Sequence, residues 1–164
     1  KLIYILITYL VFFTFTANQS FSSNIEDTVV NFKNGMSIYK KANCSSCHFW
    51  HANGGNSHGG AAASLRKTKL SFREILNIIS CGIPGTNMPY FSPQSISNLN
   101  CTNSKSKLLK DEKEIALKGA KMLNDNEIKT LTKFIVEEIK NKPVSRYYCL
   151  EFFKSDKDCT KYNY

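Results

Sequence analysis

Apolar side chains recur every three or four residues in several separate stretches of this chain. Val29, Phe32, Met36 and Tyr39 follow that spacing and predict an amphipathic helix over residues 27–41. Gly35 lies inside it, at a cost of about 1 kcal/mol against Ala, which is explicable where a second helix crosses closely. Ser71 followed by Glu74 forms the S-x-x-E capping box. With Ile75, Ile78 and Ile79 it predicts a helix running to about residue 80. Asn124 and Glu127 flag another start, and Ile128, Leu131, Ile135 and Ile139 on one face carry it over residues 125–140 until Lys142-Pro143 ends it. A last short helix opens near Ser145, with Tyr148, Phe152 and Phe153. No strand alternation and no internal repeat is visible. The pattern predicts an all-α fold.

Two regions lack that clarity. Ser92 to Ser106 reads as a polar loop, and Lys107 to Lys121 as a charged, weakly amphipathic helix. There Lys105, Lys107, Lys110 and Lys113 form either a docking patch or a solvated face. At the other end, Lys1 precedes an almost unbroken apolar run from Leu2 to Phe15. That run is shorter than the roughly 20 residues of a membrane span and fits the apolar core of a secretory signal. Cleavage would fall within Ala17–Ser23, and an uncleaved anchor, bringing membrane contact, is the alternative. The expected organisation is a signal over 1–23, a main domain over 24–142 and a C-terminal extension over 143–164. The expected location is periplasmic.

Cysteine and histidine change the picture. Cys44-Ser45-Ser46-Cys47-His48 has the form C-x-x-C-H, that of a c-type haem attachment site. Two thiols one helical turn apart can each form a thioether with a haem vinyl group, and the next residue, His48, can ligate the iron. The remaining cysteines, Cys81, Cys101, Cys149 and Cys159, form an even set suited to an oxidising compartment. Proximity favours Cys81–Cys101 and Cys149–Cys159, the latter worth roughly 2–3 kcal/mol in the chain-entropy account. One reduced, merely packed pair is the alternative.

A second iron ligand is expected in Cys81-Gly82-Ile83-Pro84-Gly85-Thr86-Asn87-Met88-Pro89-Tyr90. Pro89 biases Met88 towards an extended backbone, and a soft thioether opposite an imidazole favours ferrous iron. Met36 sits on a helix face and Met122 just before a helix, which leaves Met88. Between the two ligands lie Trp50, His51 and a glycine-rich loop of Gly54-Gly55 and Gly59-Gly60 ending at Ala61-Ala62-Ala63. His51 and His58 are read as solvent or pocket-edge residues. The net charge is +9. An exported chain rarely meets nucleic acid, so no nucleic-acid partner is expected, and the charge implies attraction to an acidic partner surface.

The order of these features resembles class I c-type cytochromes over roughly residues 32 to 140: a helix with Gly35 and Tyr39, C-x-x-C-H, a glycine-rich loop, Leu65-Arg66, a short helix, Gly-Thr-x-Met-Pro and a final helix. More narrowly, KANCSSCHFWHANGG, CGIPGTNMPYF and KPVSRYYCLEFF are similar to small periplasmic cytochromes associated with quinoprotein alcohol dehydrogenases. The resemblance implies one covalent haem c with His48 and Met88 as axial ligands. It also implies Trp50 and Arg66 as hydrogen-bond partners of the haem propionates, Pro89 at the pocket, and Gly35 packed against the helix of Leu131 and Ile135. The chain departs from the family in one extra residue between Tyr39 and Cys44, in its additions around Cys101 and at the tail, and in Ala62-Ala63-Ser64 standing where Gly-Pro is usual. The last departure leaves the partner of His48 to a backbone carbonyl within Ala61–Ser64.

The resulting expectation is an electron carrier rather than an enzyme, since two axial ligands leave no vacant iron site. Its partners would be redox proteins: a dehydrogenase as donor, a quinoprotein by the narrower resemblance, and an oxidase or other cytochrome as acceptor. Rival readings are a haem enzyme or gas sensor with an open sixth site, a haem-free thiol–disulfide oxidoreductase using Cys44 and Cys47, and a haem subunit docked permanently on a larger oxidoreductase.

Overall fold

The computed structural model describes residues 29, 31–57, 59–94, 101 and 116–162. The expected signal segment, His58, and the lysines at 105, 107, 110 and 113 lie outside the described residues. Helix α1 covers 31–41. It is followed by the four-residue α2, Ser45–His48, and a hairpin of β1, Gly55–Ser57, and β2, Gly60–Ala62. Helix α3 spans Phe72–Cys81 and α4 spans Asp125–Phe134. Helix α4 continues as a π-helical turn over Ile135–Ile139. The short helices α5, Arg146–Phe153, and α6, Asp156–Cys159, close the tail. Among the described residues no helix is long and apolar enough to cross a membrane.

The capping signals translate directly into helix starts. Ser71 caps α3 and Asn124 caps α4, each with the reciprocal glutamate bond of a capping box, to Glu74 and Glu127. Ser145 caps α5 by accepting from the Tyr148 N–H. Phe32, Met36 and Tyr39 are buried on one face of α1. Val29, though in phase with them, is exposed, because it precedes the part of the helix that the core covers.

The core is the crossing of α1 and α4. Phe134 meets Phe32 edge-on at 5.4 Å and Tyr39 at 6.3 Å. Gly35 is the point of closest approach. A Cβ there would lie 2.2 Å from the Phe134 Cβ, so only a residue without a side chain admits the crossing. The neighbour is Phe134, between the Leu131 and Ile135 expected from the sequence. Ile75 and Ile79 bring α3 into the same cluster.

Mainly helical describes the chain better than all-α. The glycine-rich stretch makes a two-stranded antiparallel hairpin, pairing Gly55 with Ala62 and Ser57 with Gly60. Its strands are Gly, Asn, Ser and Ala, which carry no alternation of apolar and polar positions, so strand periodicity could not reveal them. A second extended contact, the parallel bridge of Tyr90 to Lys118, joins the segment after α3 to the approach to α4. The π turn was equally unforeseen. Lys140 N–H bonds to the Ile135 carbonyl at 2.8 Å, widening the helix where Ile135 and Ile139 are both buried.

Both disulfides have the proximity pairing, Cys81–Cys101 and Cys149–Cys159. The second fastens α6 to α5 with both cysteines fully buried.

Candidate functional site

Cys44, Cys47, His48 and Met88 line one cavity of about 450 Å³. They come from two elements far apart in the chain. α2 and its N-cap residue Cys44 supply the first three, and the loop between α3 and the Tyr90 bridge supplies Met88. The opposite walls are apolar: Ile75, Ile78 and Ile79 from α3, Phe91, and Leu131 with Ile135 from α4. A volume in the roughly 300–1,000 Å³ range with apolar walls and a few convergent polar groups is the usual form of a cofactor site.

His48 is oriented by its neighbour across the hairpin. Its Nδ1 lies 2.8 Å from the Ala63 carbonyl oxygen. A carbonyl only accepts, so Nδ1 carries the proton and Nε2 keeps its lone pair free for a metal. This is a backbone carbonyl from the Ala61–Ser64 stretch. Burial holds the His48 pKa below the ordinary imidazole value, with the Ala63 bond acting the other way. The ring is therefore neutral at pH 7, the form that ligates iron.

α2 is too short to define itself. It has four residues and no side-chain cap, whereas isolated helices below about 12–15 residues are marginal in water. Tertiary ties supply the missing stability. The Cys44 N–H bonds to the Tyr39 carbonyl at 3.1 Å, and the Tyr39 hydroxyl donates to the Phe49 carbonyl at 2.9 Å. Phe49, directly after His48, has φ 62° and ψ 165°. That region is essentially reserved for glycine, at a cost of about 1–3 kcal/mol for other residues.

The Met88 loop is held by shorter-range bonds. Ile83 N–H bonds to the Met88 carbonyl at 3.0 Å, and Thr86 Oγ1 accepts from the Met88 N–H at 3.1 Å while donating to the Ile83 carbonyl. Gly82 starts the loop at φ +66°, where a Cβ would strike the Met88 carbonyl and the Tyr90 nitrogen. Pro89 lines the cavity beside Met88. Asn87 Nδ2 donates to the Gly59 carbonyl at 2.8 Å, tying the loop to the hairpin across the cavity edge.

Trp50 and Arg66 do not line the cavity. Trp50 is enclosed by rings of the tail, 4.7 Å from Tyr162 and 5.1 Å from Phe153. Arg66 is 5% exposed and acts as a strut. Its Nε donates to the His51 carbonyl at 2.6 Å, and its Nη1 to the carbonyls of Lys142 and Pro143. Its plane lies over the Tyr148 ring at 4.7 Å. These bonds join the proximal segment to the tail, while Nη2, also buried, has no hydrogen-bond partner among the described residues. His51 also stays off the cavity. It stacks on Phe49 at 5.3 Å, and its Nδ1 accepts from the Asn53 N–H.

The donor set suits a haem. Imidazole and thioether are soft and borderline iron ligands, and the two thiols lie at the same cavity as both. Gly59 adds a cradle beside them, since a Cβ there would come within 2.4 Å of the Cys47 sulfur. Cys44 and Cys47 are free thiols, and burial pushes Cys44 up to about 12. A catalytic thiol–disulfide centre has the reverse shift at its attacking thiol, which counts against the oxidoreductase rival.

Sequence reasoning missed Tyr39 as a cavity residue and Asn87 as a clasp. The first was visible as a core position, but nothing local discloses where its hydroxyl goes. Residues 30–100 match the family model described as Cytochrome C oxidase, cbb3-type, subunit III, a stretch that contains both C-x-x-C-H and the Met88 loop. The match supports a c-type cytochrome, and with it covalent haem c and haem-based electron transfer. No curated protein and no solved structure matches the chain.

Proposed function

We propose that this chain is an exported electron carrier that holds one haem c through Cys44 and Cys47, with His48 and Met88 as the iron's two axial ligands. The observation that carries the reading is the convergence of His48 and Met88 on one apolar cavity, with His48 already turned by Ala63. When bound, the haem supplies a one-electron ferric–ferrous couple whose potential its ligands and surroundings set.

The chain's own residues bind, orient and exclude water. Ala63 fixes the tautomer of His48, and the Ile83–Met88 bonds keep the thioether in place. Ile75, Ile79, Leu131 and Ile135 keep the cavity wall dry, which strengthens every electrostatic interaction inside it. A methionine sulfur opposite imidazole favours the reduced iron. Export to the periplasm is consistent with the two disulfides and with the apolar run at Leu2–Phe15. The partners are redox proteins: a dehydrogenase as donor, of the quinoprotein class by the narrower resemblance, and an oxidase or another cytochrome as acceptor.

Absorption spectra of the exported protein test this reading. The expected result is a far-red methionine-to-ferric band that Met88→Ala abolishes, with no carbon monoxide binding to the ferrous parent. Ready carbon monoxide binding and no such band would sink the closed-site mechanism. A second reading, a haem subunit docked on an oxidase, is favoured by the name of the matched family. The native size separates the two, since a carrier elutes at the mass of its own chain and a subunit with its complex.

A further inference from the structure

Tyr39 touches the C-x-x-C-H turn at both ends. Its carbonyl accepts the Cys44 N–H where the turn begins, and its hydroxyl donates to the Phe49 carbonyl where the turn ends. The side chain is fully buried and also lines the cavity. The Phe49 carbonyl takes a second bond from the Ala52 N–H at 3.2 Å, so the peptide is held from two directions. Between these bonds Phe49 sits in backbone space that favours glycine.

A glycine at 49 would satisfy that conformation with no external help. Phenylalanine is there instead, and its ring is in use, stacked on His51 and lying over Gly55. Keeping that ring therefore obliges some other group to hold the backbone. The buried hydroxyl, directed at the same carbonyl from a neighbouring helix, is placed to do so. Because Phe49 follows His48 without an intervening residue, any relaxation of its φ and ψ swings the preceding peptide and moves the imidazole off the Ala63 carbonyl.

We infer that the Tyr39 hydroxyl is a positioning group for His48, holding Phe49 in a glycine-like conformation so that the proximal imidazole keeps its orientation. The inference rests on the reading of His48 as an axial ligand. Tyr39 is a positioning residue, acting on the iron through Phe49 and His48. It makes a specific claim about coupling: the hydroxyl matters only while residue 49 resists its conformation.

The experiment is a double-mutant cycle on the exported holoprotein with Tyr39→Phe, Phe49→Gly and the combination. The readouts are the hyperfine-shifted proton resonances of the His48 ring in the ferric state and the reduction potential. Tyr39→Phe in the parent is expected to move both. In the Phe49→Gly background the same substitution is expected to lose at least about half of its effect, the mark of two residues acting through one strained backbone. Equal effects in both backgrounds, or no movement of the His48 resonances in Tyr39→Phe, would overturn it. Should Tyr39→Phe mature poorly, the haem-stained yield serves instead: recovery in the double variant supports the inference, and equally low yield overturns it. Failure of the ligand reading looks different, because the hyperfine-shifted imidazole resonances would then survive His48→Ala and so belong to another residue.

Discussion

The two sides of the cavity are held in place by different means. The proximal side is bound to the whole molecule. α1 reaches it through Tyr39, the hairpin through Ala63, and the tail through Arg66, whose bonds run to Lys142 and Pro143, some 76 residues away in sequence. The distal side has fewer long-range ties: bonds among Ile83, Thr86 and Met88 close the loop, Asn87–Gly59 clasps it across the cavity edge, and Tyr90 fixes its end to Leu117 and Gly119. A ligand set by many independent elements resists local opening, whereas a loop closed by its own few bonds belongs to the low-stability end of a protein's range. On the proposed ligation, Met88 is accordingly the ligand that should be lost first, and His48 the one that should persist.

The largest test breaks the proximal side at the two cysteines proposed to anchor the haem. Cys44→Ala combined with Cys47→Ala should abolish haem staining on a denaturing gel entirely, while either single variant keeps one bond and stains. Retained stain in the double variant would mean that the haem is held elsewhere. Met88→Ala should leave staining intact, remove the far-red band and open the iron to carbon monoxide, with the potential falling. If it instead lost covalent haem, the two sides would not be separable.

Gly35→Ala probes the crossing beneath both sides. With Phe134 2.2 Å from the new Cβ, overpacking should cost about 3 kcal/mol, the upper end of the usual range, seen as a lower denaturation midpoint. The two disulfides sharpen the comparison further. Their sequence separations of 20 and 10 imply similar chain-entropy stabilisation of about 3 kcal/mol each. Removing Cys81–Cys101, which immediately precedes the Met88 loop, should weaken the methionine band. Removing Cys149–Cys159, fastening the tail, should lower the melting temperature and leave that band in place.

The smallest effect is one of pH. Burial, and then the Arg66 charge, hold the pKa of His51 below its ordinary value of 6.5. The unfolded chain therefore binds a proton before the native one does, and stability is lost as pH falls through 6.5 and below. The geometry agrees, since protonating Nδ1 would cancel its bond from the Asn53 N–H. His51→Leu should flatten the acid limb of the stability curve, and an unchanged slope would show that His51 titrates alike in both states.

Legibility followed the range of the cause. Helix starts at Ser71, Asn124 and Ser145 were readable because a cap and its target lie three residues apart. The haem motif was readable because its chemistry demands adjacent residues, and Met88 stood out because a proline and a glycine turn surround it. The hairpin was not, for its strands carry no side-chain pattern. The tail contacts of Trp50 and Arg66 were not readable either, because Phe153, Tyr162, Lys142 and Pro143 lie far along the chain from both residues.

By itself, then, the chain's order of residues determined the helical segments, the haem attachment motif, the methionine loop and the proximity of the disulfide pairs. All are interactions within a few turns of chain. Only the tertiary structure decided that Phe134 is what meets Gly35, that Ala63 turns His48, and that Tyr39 brackets the motif at both ends. Each of these joins groups whose approach depends on how α1, the hairpin and α4 pack together. A hydroxyl or carbonyl carries no local mark of the partner that packing will bring to it.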